Sequence, residues 1–387
     1  MKYLRLFVCI TATVLLFTEC KKTQSFVNFV SITDCDKAQE VAFEDVATDV
    51  RIVPLISDEP IGGCNKIKCY GSIVLVRADQ DQSLFIFEDG KQIAHLCKVG
   101  RGRGEYTRIG DFVYSPKNKL LYIKGSAGIN HVLVYSFPDL EFLRSFDGGD
   151  FTAFAEHDDS TLICRMAYEY DCKFADYFVS TKTGEKLGLA KEVGLTSLMY
   201  NTEMNYYTPE HRILLETGSV NTVSEIPAKI GEKERIIRKF DFGDKSISSK
   251  YDSINSEDDL NSMLTDFMQS ILSNTETILN INNAVAAEGS VSFWYSSLVK
   301  GKDATYCRIN DNDEMVRYCG FKASGTKTGL FATTVTEKGE YVTLVEGLPE
   351  TLFDEGSDER SEFSSQLEST MKAQAFNNPV LVFYNIK

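Results

Sequence analysis

Three tight turns set one unit length apart constrain this chain more than any single motif. Ser83-Leu84-Phe85-Ile86-Phe87-Glu88 runs into Asp89-Gly90 and out through Gln92-Ile93-Ala94-His95-Leu96. This is a strong hairpin pattern, and Asp-Gly tolerates the positive φ of a tight reversal. Val132-Leu133-Val134-Tyr135, Pro138-Asp139 and Leu140-Glu141-Phe142-Leu143 repeat it, as do Tyr177-Phe178-Val179, Thr183-Gly184 and Lys186-Leu187. The turns fall at residues 90, 139 and 184, spaced by 49 and 45. A period of about 40 to 50 residues with about four short strands per unit marks a β-propeller blade. The predicted fold is therefore all-β. Two later hairpins fit it, one turning at Asp311-Asn312-Asp313 and one at Lys338-Gly339.

The beginning of the chain sets how much of it can join that ring. Met1-Lys2-Tyr3-Leu4-Arg5, an apolar run from Leu6 to Phe17 and then Cys20-Lys21-Lys22 read as a secretory leader. The run is shorter than the roughly 20 apolar residues that span a bilayer. The cysteine points to a lipoprotein signal, with Cys20 the lipidated first residue of the mature chain. Glu19 departs from the small residue usual before such a cysteine, and an ordinary leader with an incidental cysteine is the alternative. Without residues 1–19 the chain has 368 residues. At about 45 to 50 residues per blade, with insertions, that suggests six blades, seven being the alternative. The expected organisation is a leader at 1–19, a tether at 20–48 and a six-bladed β-propeller at 49–387.

Rings of blades close by pairing strands from both chain ends, since an open edge leaves backbone groups unpaired. Val50-Arg51-Ile52-Val53-Pro54-Leu55 and the closing Asn378-Pro379-Val380-Leu381-Val382-Phe383-Tyr384 are predicted to share a blade. Helical insertions are expected near 256–272 and 358–375. The first carries a stripe of Leu260, Met263, Leu264, Phe267, Met268, Ile271 and Leu272, the second Phe363, Leu367 and Met371. Core packing is the ordinary meaning of such stripes, and a lid or partner-binding helix is the alternative.

The leader carries Lys2, Arg5 and Glu19, so its removal takes the net charge from −15 to −16. That acidity argues against a nucleic-acid binder, which needs a basic patch to replace phosphate counterions. It equally argues against a polybasic contact with anionic lipid, leaving the lipid on Cys20 as the membrane attachment. Lys21-Lys22-Thr23-Gln24 lacks the acidic residues of a surface-export signal, which favours the periplasmic side of the outer membrane over the cell surface.

Chemistry-bearing candidates are few. In Gly100-Arg101-Gly102-Arg103-Gly104, glycines bring N–H groups close to an anion and Arg101 and Arg103 add charge, so phosphate, sulfate or uronate could bind. The alternative is a blade-to-blade connection that needs glycine for tight turns. Asp311-Asn312-Asp313-Glu314 and Asp79-Gln80-Asp81 lack the length and distal carboxylate of a calcium loop. His95, His131, His157 and His211 show no zinc-ligand spacing, so neither metal nor cofactor is expected. Trp294 could be a glycan-stacking platform or a buried blade residue. In an exported chain, Cys307 with Cys319, flanking Asp313 symmetrically, and Cys164 with Cys172 are candidate disulfides. No catalytic residue is assigned.

Several of these segments together resemble the six-bladed β-propeller lipoproteins of Bacteroidetes, a TolB-like and NHL-like group. They are the Val50–Leu55 strand followed by Ile61-Gly62, the Asp89-Gly90 hairpin, Val99-Gly100-Arg101-Gly102-Arg103-Gly104-Glu105-Tyr106 and the closing Asn378–Tyr384 strand. That group commonly carries a longer glycine loop ending in Gly-Pro-Gly-Glu-Tyr, and this chain lacks the proline. The resemblance implies fold and envelope location and supplies no catalytic residues. The expected function is binding of a glycan or an envelope protein partner. A propeller enzyme, lyase or hydrolase, acting on a carbohydrate is the alternative.

Overall fold

The structure, a computed structural model, describes residues 29–32, 38–125, 131–149, 151–166, 175–192, 205–207, 212–217, 222–232, 234–245, 257–273, 278–287, 289–297, 304–354 and 360–387. Six sheets form the six-bladed propeller that the turn spacing predicts. The first blade is Cys64–Tyr70, Ile73–Ala78, Ser83–Glu88 and Lys91–Leu96; the second is Ile109–Ser115, Leu120–Gly125, His131–Ser136 and Phe142–Asp147. Phe151–Asp158, Thr161–Met166, Ala175–Ser180 and Lys186–Glu192 make the third. The fourth is built on Asn205–Tyr207, Arg212–Thr217, Thr222–Glu225 and Arg235–Asp241, and the fifth on Ile278–Ala287, Ser290–Ser297, Thr305–Asn310 and Met315–Lys322. The sixth joins Thr334–Val335, Tyr341–Val345 and Val380–Ile386 to Ala47–Pro54.

Closure follows the expected route. Val382 lies opposite Ile52 and Leu381 opposite Val53, so the first long strand forms the outer edge of the blade that the last strand belongs to. The turns at residues 90, 139 and 184 are the same feature of three successive blades, the reversal between third and fourth strands. At the first, Asp89 and Gly90 both have positive φ, 48° and 78°, the geometry a two-residue hairpin needs. Apolar side chains fill the gaps between neighbouring blades. Leu75, Ile86, Phe112 and Leu121 pack between the first and second, and Val76, Phe85, Val342 and Leu381 between the sixth and first.

The segment expected as a tether is, where described, part of the ring. Phe29–Ser31 adds a parallel fifth strand to the fourth blade, with Val30 beside Phe240. Gln39–Ala42 does the same on the fifth blade, with Gln39 beside Tyr318. Val30, Ile32, Val41, Phe43 and Val46 are all buried. The reason is edge chemistry: the outer strands of these blades offer unpaired backbone groups, and an alternating apolar segment covers them.

The two helices differ. In Glu362–Lys372, Ser361 caps the first turn by accepting the Ser364 N–H, and Leu367 and Met371 are buried. Its stripe is core packing. Glu257–Ser273 leaves Met268 and Leu272 exposed. Among the described residues no helix is long and apolar enough to cross a membrane.

Strand alternation sorts the connections by face. First-to-second and third-to-fourth reversals emerge on one face; second-to-third connections and blade-to-blade crossings emerge on the other. The first face carries tight turns such as Gly71-Ser72 and Asp89-Gly90. The second carries residues 55–63, 97–108, 323–333 and both long helices. This loop face is where the fold leaves room for chemistry.

Candidate functional site

The glycine-rich crossing from the first blade to the second stands on the loop face. Its backbone is tied down from within. Gly100 N–H donates to the Tyr106 carbonyl at 2.9 Å, and Lys98 N–H donates to the Tyr106 hydroxyl at 3.2 Å. That hydroxyl donates to the Leu96 carbonyl, and Tyr135 donates its own to the Gly104 carbonyl at 2.7 Å. Burial pushes the Tyr106 phenol up to about 12, so it remains a neutral donor.

The anion cradle that the glycines build is already occupied. Glu105 accepts the Gly102 N–H at 2.7 Å, and its carboxylate lies 2.0 Å from where a Cβ on Gly100 would be. An incoming anion would have to displace the chain's own. Arg101, Arg103 and Arg108 are exposed, with Arg103 5.7 Å from the Phe142 ring centroid. The guanidinium side chains, not the glycine N–H groups, are therefore the recognition elements on offer.

Beside this crossing, on the same face, His95 is held between two carboxylates. Its Nδ1 is 2.8 Å from Glu59 and its Nε2 3.9 Å from Asp81, and the ring stacks on Phe85 at 4.0 Å. Glu59 belongs to the crossing from the sixth blade, Asp81 to a loop of the first, so ring closure itself assembles the group. Cys97 is exposed, but partial burial and then Asp81 and Glu59 push its thiol up, the opposite of an activated nucleophile.

A second polar centre ties together the innermost strands, the first of each blade. Asp111 is fully buried and accepts from Lys66 at 3.0 Å, Lys68 at 2.9 Å and the Phe154 N–H at 2.9 Å. Lys68 continues to the Phe154 carbonyl at 3.3 Å, so the first, second and third blades share one network. Burial pushes the Asp111 carboxyl up, but the two ammonium groups and the hydrogen bonds outweigh it and hold the carboxyl below its ordinary value. Nearby Ser115 donates to Glu156, whose carboxyl burial pushes up. These contacts lock the channel wall.

Other residues singled out in the sequence fall elsewhere. Cys307 lies opposite Arg317, two residues along the strand from Cys319, which instead donates to the Ala38 carbonyl at 3.7 Å. Diagonal cross-strand neighbours are about 7–8 Å apart, beyond disulfide reach, so the expected bridge is not formed. Cys164 is a free thiol in the core between the second and third blades, without the expected bridge to Cys172. Cys172, Cys20 and His211 lie outside the described residues. His131 is exposed on the third strand of its blade, away from the channel, and His157 bonds the Pro227 carbonyl at 3.0 Å. Trp294 is 1% exposed among Tyr306, Phe321, Phe331 and Tyr341, which rules out a glycan platform. Asp311-Asn312-Asp313 is a hairpin turn held by Asn310, whose side chain accepts the Asn312 and Glu314 N–H groups. Among the described residues no three His, Cys, Asp or Glu side chains are grouped to hold a metal ion.

Comparison with known proteins agrees with the architecture. A family model described as a 6-bladed β-propeller matches residues 20–344. Among solved structures, a candidate exported protein of Bacteroides fragilis aligns over 93% of this chain and 100% of its own, with a TM-score of 0.66 at 16% identity. A Bacteroides vulgatus protein of the duf4221 family aligns over 88% of this chain and 98% of its own, with a TM-score of 0.51 at 12% identity. No curated protein matches the sequence.

Proposed function

The chain belongs to the DUF5128 family of 6-bladed β-propellers, and from that premise we propose that it is an exported, lipid-anchored recognition module whose loop face binds an acidic glycan. The observation that carries this reading is the arginine crossing. Arg101, Arg103 and Arg108 are exposed on a backbone whose polar groups are satisfied internally, so binding would order little besides the side chains. On a chain of net charge −15, three cations on one rigid loop are a local inversion of sign, and guanidinium pairs well with carboxylate or sulfate. The Bacteroides fragilis protein of like fold is described as exported, in keeping with a leader at 1–19, Cys20 as the first mature residue and attachment on the periplasmic side of the outer membrane.

Titration calorimetry of the mature chain against polyuronate, sulfated and neutral polysaccharides tests it. Binding confined to the acidic polymers, weakened about tenfold or more in Arg101→Ala/Arg103→Ala, is the expected result. Equal binding to a neutral polymer, or affinity indifferent to the arginines, sinks the proposal.

A carbohydrate-active enzyme is the second reading, favoured by one observation: His95 between Glu59 and Asp81 provides a positioned acid–base group on the loop face. Incubation with uronate polymers should then release unsaturated ends, and release undiminished in His95→Ala would remove the reading.

A further inference from the structure

The outer edge of the sixth blade is finished differently from those of the fourth and fifth. On those two the chain adds a short parallel strand of its own, Phe29–Ser31 beside Arg235–Asp241 and Gln39–Ala42 beside Met315–Lys322. Ala47–Pro54 is the outer strand of the sixth blade, and among the described residues no strand lies beyond it. Leu55 N–H donates to the Pro379 carbonyl at 3.1 Å, so in the register of this pair Arg51, Val53 and Leu55 bond the closing strand. Ile52 therefore turns its N–H and carbonyl to the open edge. Pro54, which has no N–H to offer, sits where an edge strand tolerates it.

The helix Glu362–Lys372 runs alongside this edge and leaves a groove between. Val50, Ile52, Pro54 and Ile56 form the strand side; Glu362, Gln366, Ser369 and Ala373, along one flank of the helix, form the other. Two cavities, of about 630 and 510 Å³, follow each other along that flank. Val50 is 37% and Ile56 51% exposed, so the strand side is apolar and open. From Glu362 to Ala373 the wall runs about 17 Å, the length of about five extended residues. The strands that the chain adds to its other blades are three and four residues long.

Charge marks one end of the groove. Glu44 and Glu362 line the cavity beside Val50. Glu44 accepts the Ser324 N–H at 3.0 Å with one oxygen, and its other oxygen is buried with no hydrogen-bond partner among the described residues. Arg51 is engaged with Glu340 at 2.8 Å and lies over the Phe383 ring, so it does not neutralise that pair. The second cavity is lined by no charged residue.

We propose that this groove binds an extended peptide of a partner protein as a fifth, parallel strand on Ala47–Pro54. Alternate apolar side chains of the peptide lie against the helix, and a lysine or arginine before them meets Glu44 and Glu362. The parallel direction follows the chain's own two added strands and puts the peptide's N-terminal end at the acidic cavity. Main-chain bonds to Ile52 supply affinity, and the cavities select side chains. The site is separate from the arginine crossing.

Random octapeptides displayed on phage and selected on the mature chain test this. Enriched sequences should alternate apolar and polar residues after a lysine or arginine. A synthetic peptide of the enriched sequence is then titrated by calorimetry. Ser369→Trp, which fills the groove from an exposed helix position, should weaken binding about tenfold or more, while Arg101→Ala/Arg103→Ala leaves it unchanged. Methylating the peptide's own N–H groups one at a time needs no variant protein to fold. It should abolish binding at every second residue and spare it between, the signature of an added strand. No enrichment, binding indifferent to Ser369→Trp in a folded variant, or methylation effects without that alternation overturns the proposal. A basic residue enriched after the apolar stretch instead overturns the parallel direction.

Discussion

Glu105 fills the anion nest of its own loop, its carboxylate accepting the Gly102 N–H at 2.7 Å. The glycines flanking the arginines therefore serve close approach and turning rather than ligand capture. Gly104 has φ 74°, and a Cβ there would meet the Phe142 ring at 2.5 Å, while a Cβ on Gly100 would meet only the movable end of Glu105. Gly104→Ala is expected to destabilise the fold by about 2 kcal/mol, and Glu105→Ala by about 1 kcal/mol. Urea unfolding of the two variants checks the order. Glu105→Ala should also bind sulfate more tightly than the parent, because its nest is then vacant.

How far the fold was legible depends on the range of the interaction. The Asp89-Gly90 hairpin is local, since turn chemistry and alternation lie within the fourteen residues from Ser83 to Leu96, and its strands stand where that pattern puts them. Closure was legible because two apolar segments at opposite ends each needed an edge. The strands Phe29–Ser31 and Gln39–Ala42 were not, being three and four residues long and defined only by the distant edges they cover. The cysteine pair failed on register: Ile309 pairs with Met315, so the hairpin is centred on Asn312, one residue before Asp313, and that shift displaces Cys319 from Cys307 by two. Asp111 and its lysines carry no motif, because only the packing of one blade on the next brings them together. The Glu105 nest did leave a signal, a carboxylate three residues after a glycine.

Asp111 should dominate the stability of the channel wall. Removing its charge leaves Lys66 and Lys68 buried beside a neutral group, a change that costs about 3–5 kcal/mol in comparable settings. Because its carboxyl titrates lower in the fold than in the unfolded chain, the stabilisation is complete above the unfolded value, about 3.9, and is lost as pH falls through the folded one. Asp111→Asn should therefore lower stability at neutral pH and flatten the acid limb of the stability curve. Equal acid limbs in parent and variant would show that other carboxylates control it.

Phe43 tests whether the N-terminal segment is structural. It is 1% exposed, with ring centroids 4.9 Å from Phe363 and 5.1 Å from Tyr384. It thus joins that segment to the helix Glu362–Lys372 and to the closing strand Val380–Ile386 at once. Phe43→Ala is expected to cost about 3–5 kcal/mol, measured by denaturant unfolding, whereas truncating a residue of a solvated tether would change nothing.

Thiol chemistry separates the blade cores from the loop face. Cys69 is buried, and burial with the Glu340 and Glu337 carboxylates pushes it up to about 12; Cys64 and Cys164 are raised as well, each chiefly by burial. Cys97 is exposed and raised less severely, by burial and then by Asp81 and Glu59. Alkylation of the native protein followed by peptide mapping should mark Cys97 while Cys64, Cys69 and Cys164 wait for denaturant. Thiolate is the reacting species, so removing a neighbouring anion should raise its population. Asp81→Asn is accordingly expected to speed Cys97 alkylation near about pH 8, where an ordinary thiol is partly ionised. An unchanged rate would mean that desolvation alone sets that thiol, and that the Asp81 field does not reach across the mouth of the first blade.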